Sequence, residues 1–345
     1  MAGQSSPRSG KFATTVYGGF RDPRFAARAI DIPVPGLLEK LPRGRFRFSD
    51  EWALLLRVLK AAWKENAILL FSSRGYYKPE LIAAILIGFF PQRFRPALVF
   101  YGEMYQPNPW LRHLFERLAM KLVDRAVTLY VVYSDDDRDS FTRTWGVNPD
   151  RIRVCPYYTF HTREEGVPPE KQTGRHIFAG GNSFRDYTPL LEVARLMPEK
   201  EFILCTTLLP QNGKYPPNVR VGSVPFEEYQ RLINTAAVVI IPLIIGLKRS
   251  TGMLTYLESM WSKKLTIVTD ALGVCEYIHH GETGVLVDGS PEGYVEAIQW
   301  ALDPKNQLQI HKIVNQAYAA VVDQFTLENH VTRLLEIMDE VMQSD

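Results

Sequence analysis

AVVIIPLIIGLKRSTGMLTYLESMW, residues 237–261, is the stretch on which the fold turns. It opens with an apolar run of strand length, crosses a glycine and two cations, and closes on an apolar helical pattern that starts at Gly252. A continuous apolar strand that feeds a helix is the grammar of a parallel sheet covered on both faces. The junction also carries chemistry. Lys248 and Arg249 offer cations, Ser250 and Thr251 offer hydroxyls, and the first helical amides at Gly252 and Met253 point outward. Together they suit a diphosphate. Glu258 follows about two turns into the helix. A carboxylate there is costly to bury unless it is paired or hydrogen-bonded to hydroxyls such as a ribose. The plainer alternative is a half-exposed Glu on an amphipathic helix.

The same grammar extends to both sides. Strands are expected at 175–179, 201–205, 219–221, 265–268 and 284–287, with helices at 189–197, 226–236, 291–302, 307–324 and 327–343. Upstream, Ser49 or Asp50 caps a helix through Trp63, and 67–72, 97–101 and 127–133 have strand character. Pro79 opens a helix over 80–90, and an amphipathic stretch covers 110–123. The first 45 or so residues, small and polar and then Arg- and Pro-rich, are expected to be irregular. The pattern predicts two doubly wound α/β domains in tandem, with ligands at strand C-termini in a cleft between them. The seam is expected between Tyr157 and Thr173.

Composition is that of a globular chain: 345 residues, 46% hydrophobic and 23% charged. The net charge of +2 conceals a split. Met1 to Cys155 holds 24 Lys+Arg against 15 Asp+Glu, and the remainder holds 16 against 23. A basic half points to an anionic partner such as a membrane surface, an acidic substrate or nucleic acid. No helix-turn-helix, RNA-recognition or zinc pattern accompanies the charge, so nucleic acid is excluded as a partner. Cys155, Cys205 and Cys275 are widely spaced, odd in number and set in apolar surroundings, which suits reduced, buried thiols in a cytoplasmic protein. The opening MAGQSSPRSGK lacks the apolar region of a secretory signal. The longest apolar run, Leu81 to Phe90, is half the length of a spanning helix.

Several further motifs have two readings each. Gly180-Gly181-Asn182-Ser183-Phe184-Arg185 follows a strand and precedes a helix. It is either a phosphate approach or a plain turn. Asp135, Asp136, Asp137 and Asp139 cluster behind Ser134. Capping of a helix N-terminus explains them better than a metal site does, so no metal is expected. His279 and His280 are adjacent and read as a surface turn. Glu103 ends the strand at 97–101 and is the candidate general base; alternatively it only orients its loop. Arg112, Arg117, Lys121 and Arg125 alternate with Leu111, Leu114, Phe115 and Leu118. This suits an interfacial helix on anionic lipid, or a core helix with a solvated cationic face.

The block from Ser250 through Glu258 and on through KKLTIVTDALGVCEYIHHGETGVLVD resembles the donor-binding half of GT-B glycosyltransferases of the family 4, group 1 kind. Gly273, Glu276, Ile278, Gly281, Gly284, Leu286 and Val287 match that family's G-x-x-E-x-I-x-x-G-x-x-G-x-L-V segment. The resemblance runs from about Ala97 to the C-terminus. It implies two Rossmann-like domains, 1–160 for the acceptor and membrane and 161–345 for a nucleotide sugar, with the last helix crossing back to the first domain. It also implies donor binding by Gly180, Gly181, Asn182, Arg185, Ser223, Val224, Pro225, Lys248, Arg249, Ser250, Thr251, Gly252, Met253 and Glu258. Glu258 matches the ribose-binding Glu of the family, and Ser223 to Pro225 match the loop beside the base. Ser250 stands where the family has its first Glu, and Pro156-Tyr157-Tyr158-Thr159-Phe160 replaces the usual Pro-Asn-Gly-Val-Asp linker.

The expected function is transfer of a sugar from a UDP- or GDP-linked donor to an acceptor hydroxyl, without metal or cofactor. The acceptor is a saccharide or a lipid-linked molecule at the cytoplasmic face of an anionic membrane. The alternative is an inactive GT-B-like subunit that binds a nucleotide sugar or a partner protein.

Overall fold

The computed structural model describes residues 10–15, 20–33, 48–71, 78–102, 106–108, 111–162 and 174–343. The chain divides into two units, 1–155 with 330–345 and 156–329. By sequence, the first unit carries a net charge of +6 and the second −4.

Unit 1 holds a six-stranded, all-parallel sheet. Its strands are β1 (Phe12–Thr14), β2 (Ala29–Asp31), β3 (Ala67–Phe71), β4 (Ala97–Tyr101), β5 (Val127–Val132) and β6 (Ile152–Val154). They lie in the order β2-β1-β3-β4-β5-β6. Every residue of β4 is buried, as a central parallel strand with both faces covered requires. The helices are α1 (Pro23–Arg28), α2 (Phe48–Lys64), α3 (Pro79–Ile87), α4 (Leu111–Asp124) and α5 (Asp135–Trp145). Ile68, Leu70, Leu98, Val123 and Val132 form part of the core between helices and sheet. Residues 330–343, from the helix Leu327–Gln343, also belong to this unit. They are tied to it by Arg28 with Asp339 and by Arg153 with Glu340, each at 2.5 Å.

The expectation of an irregular first 45 residues is corrected here. β1, α1 and β2 lie within that segment, and β1 pairs with both β2 and β3. β1 and β2 are three residues each and lie in a segment whose small, polar, Arg- and Pro-rich composition reads as loop, so pattern reading passes over them. α1 did have a signal: Asp22 accepts from the backbone N–H groups of Arg24 and Phe25, and Pro23 occupies the first turn. The Arg24 guanidinium, hydrogen-bonded to Asp22, holds its carboxyl below the usual 3.8. The unfolded chain therefore protonates first. Stability from Asp22 is complete above 3.8 and is lost as pH falls through the lower folded value. Asp22→Ala should cost about 1 kcal/mol near neutral pH. In urea titrations its difference from wild type should vanish in strong acid.

Unit 2 holds β7 (Ile177–Gly180), β8 (Phe202–Cys205), β9 (Val219–Val221), β10 (Val238–Ile241), β11 (Thr266–Thr269) and β12 (Val285–Val287). All are parallel, in the order β12-β11-β10-β7-β8-β9. That is the strand order of a dinucleotide-binding doubly wound sheet, with its reversal between β7 and β10. α6 (Thr188–Leu196), α7 (Phe226–Thr235), α8 (Met253–Trp261), α9 (Pro291–Leu302) and α10 (Gln307–Gln324) complete the unit. Most expected elements of this half differ from the observed ones by only a residue or two at their ends. Cys155 and Cys205 are buried as expected, whereas Cys275, in the short helical turn Val274–Glu276, is exposed.

Candidate functional site

Chains that leave β7 and β10 turn to opposite faces of the sheet and so open a crevice at the strands' C-terminal ends. The β7 loop enters it with Gly180 and Gly181. A Cβ on Gly180 would meet the Tyr229 hydroxyl at 2.5 Å. Gly181 has φ +117°, a conformation reserved for glycine. The loop is held on every side. Gly181 N–H donates to the Cys205 carbonyl at 3.1 Å, and its own carbonyl accepts from the Tyr187 hydroxyl at 2.7 Å. Asn182 Oδ1 accepts from Thr206 Oγ1 and from the Thr207 N–H, at 2.9 and 2.6 Å. The two loops also bond each other: Asp186 N–H donates to the Pro242 carbonyl, and Ile244 N–H to that of Phe184.

This framework buries one cation. Arg185 is 7% exposed. Its Nη1 donates to the Ser183 carbonyl at 2.7 Å and its Nη2 to Thr255 Oγ1 at 3.3 Å. Its Nε is buried and has no partner among the described residues. Burial pulls the group's pKa below the ordinary arginine value, yet a guanidinium stays charged. Among the described residues, no carboxylate pairs with it. Glycines line both sides: a Cβ on Gly181 would lie 3.2 Å from Arg185 Nε, and one on Gly252 3.3 Å from Nη2. A buried, uncompensated cation is costly unless an anion joins it. Arg185 is placed to receive one.

The β10 loop supplies the rest. Gly252 caps α8 at φ +92°, and the N–H groups of the first turn, at Met253 and Leu254, have no acceptor inside the helix. Ser250 and Thr251 are buried, and Thr251 Oγ1 donates to the Ser183 carbonyl at 3.3 Å. Arg249 Nε donates to the Ser250 carbonyl, and its guanidinium lies 5.4 Å from the Phe184 ring. Lys248 is exposed. Of the three cations expected near a diphosphate, Arg185 is the one the fold buries.

One turn beyond Thr255 lies Glu258, on the same face of α8. It is buried, and its two oxygens accept from Thr159 Oγ1 at 2.9 Å and from His161 Nε2 at 2.8 Å. The His161 ring stacks on Trp261, centroids 4.9 Å apart and planes 2° apart. The half-exposed alternative for Glu258 is thereby corrected: local partners offset its burial. Each carboxylate oxygen has a second lone pair for a further donor.

His161, Thr255 and Tyr229 carry no sequence motif, and Thr159 stands out only as part of the linker that departs from the family pattern. Thr255 was findable, since Thr251, Thr255 and Glu258 form a polar stripe at helical spacing on a largely apolar helix. Burial pushes the Tyr229 hydroxyl up to about 12, so it stands neutral beside Gly180. Ser223, Val224 and Pro225 form the loop between β9 and α7, with Ser223 and Pro225 exposed. The Gly222 N–H seats this loop on the Leu204 carbonyl at the end of β8.

In unit 1, Glu103 lies outside the described residues. Just before it, the Tyr101 hydroxyl and His330 Nε2 are 2.8 Å apart, and Cys155 Sγ is 3.4 Å from His330 Nδ1. Ser134 caps α5 by accepting from the Asp137 N–H, and Asp135 pairs with Arg138. The acidic run thus serves the helix terminus. His280 Nδ1 accepts from the Leu286 N–H within an exposed turn.

Two all-parallel six-stranded sheets, the second in dinucleotide-binding order with its buried cation at the reversal, decide the fold class. The chain has the GT-B fold. Solved GT-B glycosyltransferases superpose on most of its length. HepE from Anabaena, solved with UDP, matches at 15% identity and a TM-score of 0.65, over 83% of this chain and 82% of that one. A glycosyltransferase from Rickettsia africae matches at 14% identity and 0.69, over 97% and 100%. Sucrose-phosphate synthase from Thermosynechococcus elongatus matches at 15% and 0.64, over 92% and 84%. Residues 209–304 match the family model described as glycosyl transferases group 1, in agreement with the resemblance read from the donor-site block. No curated protein sequence matches the chain. Within this GT-B chain, the matched segment contains α8 with Glu258, whereas Arg185 lies upstream of it.

Proposed function

We propose that the chain is a glycosyltransferase whose unit 2 binds a nucleotide diphosphate sugar, UDP- or GDP-linked, and transfers a hexosyl group to an acceptor hydroxyl. The observation that carries this reading is Arg185, a buried guanidinium at the reversal of a dinucleotide-binding sheet, with no counter-ion among the described residues. Its fork and the first-turn amides of α8 match the oxygens of a diphosphate. Glu258, one turn further along, has lone pairs for the ribose hydroxyls. The loop at Ser223 to Pro225 borders the base.

Transfer forms a bond from the acceptor oxygen to the anomeric carbon and breaks the bond from that carbon to the β-phosphate oxygen. The hydroxyl proton goes to a base, assigned from the sequence to Glu103, and the nucleoside diphosphate departs with the electron pair. Charge that grows on the leaving phosphate is met by Arg185 and the helix amides. These fixed donors support a reaction that needs neither metal nor cofactor. The acceptor is proposed to be a saccharide or lipid-linked molecule at the cytoplasmic membrane face. No helix among the described residues is long and apolar enough to cross a membrane, and the basic unit 1 suits an anionic surface.

A thermal-shift series with UDP-, GDP- and ADP-sugars tests the donor half. At a hundred times its Kd, the true donor stabilises by about 2.7 kcal/mol, a rise of several degrees in Tm. Donor turnover in EDTA then tests transfer. No shift with any nucleotide sugar overturns the reading. Ser250, which stands in place of the family Glu, favours a second reading, a binding subunit without activity; a shift without turnover would select it.

A further inference from the structure

α3 packs between α2 and α4 over one face of the unit 1 sheet. Each of these helices turns apolar side chains outward. Leu56 and Trp63 are exposed on α2, Leu86 on α3 with Phe89 just beyond its end, and Phe115 and Leu118 on α4. Trp63 is 78% and Phe115 75% exposed. Among the described residues, every exposed large apolar side chain of unit 1 falls between residues 52 and 118. Contacts join the helix ends into one patch. The Trp63 and Phe90 rings lie 6.3 Å apart, and the Arg125 guanidinium is 5.8 Å from the Phe89 ring. A grouped apolar surface of this kind marks an interaction site, unlike exposed residues scattered singly.

Charge identifies the partner. Lys60, Lys64, Arg93, Arg117, Lys121 and Arg125 are exposed among these apolar groups. None of the acidic side chains of the three helices is exposed. Glu51 and Glu80 are buried, and Asp50, Glu116 and Asp124 are half-buried. Asp124 is engaged by Arg151 at 3.1 Å, and Glu116 by the Asn108 N–H at 3.0 Å. A second copy of the chain is a poor match, because a two-fold contact sets each patch against itself and opposes like charges. Aromatic side chains among cations on helices lying side by side fit the headgroup layer of an anionic bilayer.

We propose that the outer face of α2, α3 and α4 docks the protein on anionic phospholipid, with Trp63, Phe89 and Phe115 entering the interface. This assignment deepens the membrane-face reading above and rests on it for its role. The test omits donor and acceptor, so that its failure stays separate from failure of donor binding. The full chain is floated with phosphatidylcholine vesicles, with and without phosphatidylglycerol. Anionic lipid should bind at least about tenfold more tightly, and added salt should weaken it.

The variant W63S/F89S/F115S should lose binding while keeping the wild-type Tm. The variant K60E/R93E/K121E should lose the preference for phosphatidylglycerol and the salt dependence. UDP binding, measured in parallel, should be unchanged in both. Equal binding to both vesicle types, or wild-type flotation by W63S/F89S/F115S, overturns the proposal. So does a dimer in light scattering that the same variant dissociates, since a second copy would then cover the face.

Discussion

Arg185→Ala is expected to weaken UDP binding by roughly 100-fold while leaving uridine binding unchanged. The guanidinium is the buried cation at the sheet reversal, and its Nε has no partner among the described residues. Charge-assisted hydrogen bonds are worth about 1.5–3 kcal/mol each. A loss of about 3 kcal/mol corresponds to roughly two decades of affinity. Titration calorimetry with UDP and uridine reads both numbers. Arg185→Lys should recover only part of the loss, because a point charge replaces a planar fork. Loss of the charge has the opposite effect on the ligand-free protein. Removing an uncompensated buried charge relieves a desolvation cost. Arg185→Met should therefore melt at or above the wild-type Tm without ligand and gain much less stability from UDP than the wild type does. Wild-type affinity in Arg185→Ala would place the diphosphate elsewhere.

Glu258→Ala is the second large effect. In the wild type, UDP should bind about 10- to 100-fold more tightly than 2′-deoxy-UDP, the range of hydrogen bonds to a charged group. The alanine variant should bind the two alike. It should also lose stability, because Thr159 Oγ1 and His161 Nε2 donate to the carboxylate and would be left without it. The ratio of the two affinities separates the roles: a purely structural Glu258 would weaken both ligands together. Glu258→Gln keeps one acceptor oxygen and should keep part of the discrimination.

The sequence was most legible where strands are long and buried. The runs at 97–101 and 238–241 are continuously apolar because parallel strands are covered on both faces, and both became central strands. Legibility failed at β1, β2 and β6, three-residue strands whose place in the sheet comes from their neighbours. The site divided in the same way. Local chemistry showed the glycines at 180, 181 and 252 and the hydroxyls at 250 and 251. It could not rank Arg185 above Lys248 and Arg249, since burial depends on how the β7 loop folds under the β10 loop. Nor could it pair Glu258 with Thr159 and His161, which lie nearly a hundred residues earlier in the chain. The charge split was visible at once, but its surface was not. Helical packing gathers Trp63, Phe89 and Phe115 from separate segments onto one cationic face.

A crystal structure of the chain with UDP decides whether the crevice at the β7–β10 reversal holds a nucleoside diphosphate. Phosphate oxygens should lie on the Arg185 guanidinium and the first-turn amides of α8, with the ribose hydroxyls on Glu258. UDP bound away from Arg185, or a crevice left empty at saturating UDP, would overturn this assignment of the donor site.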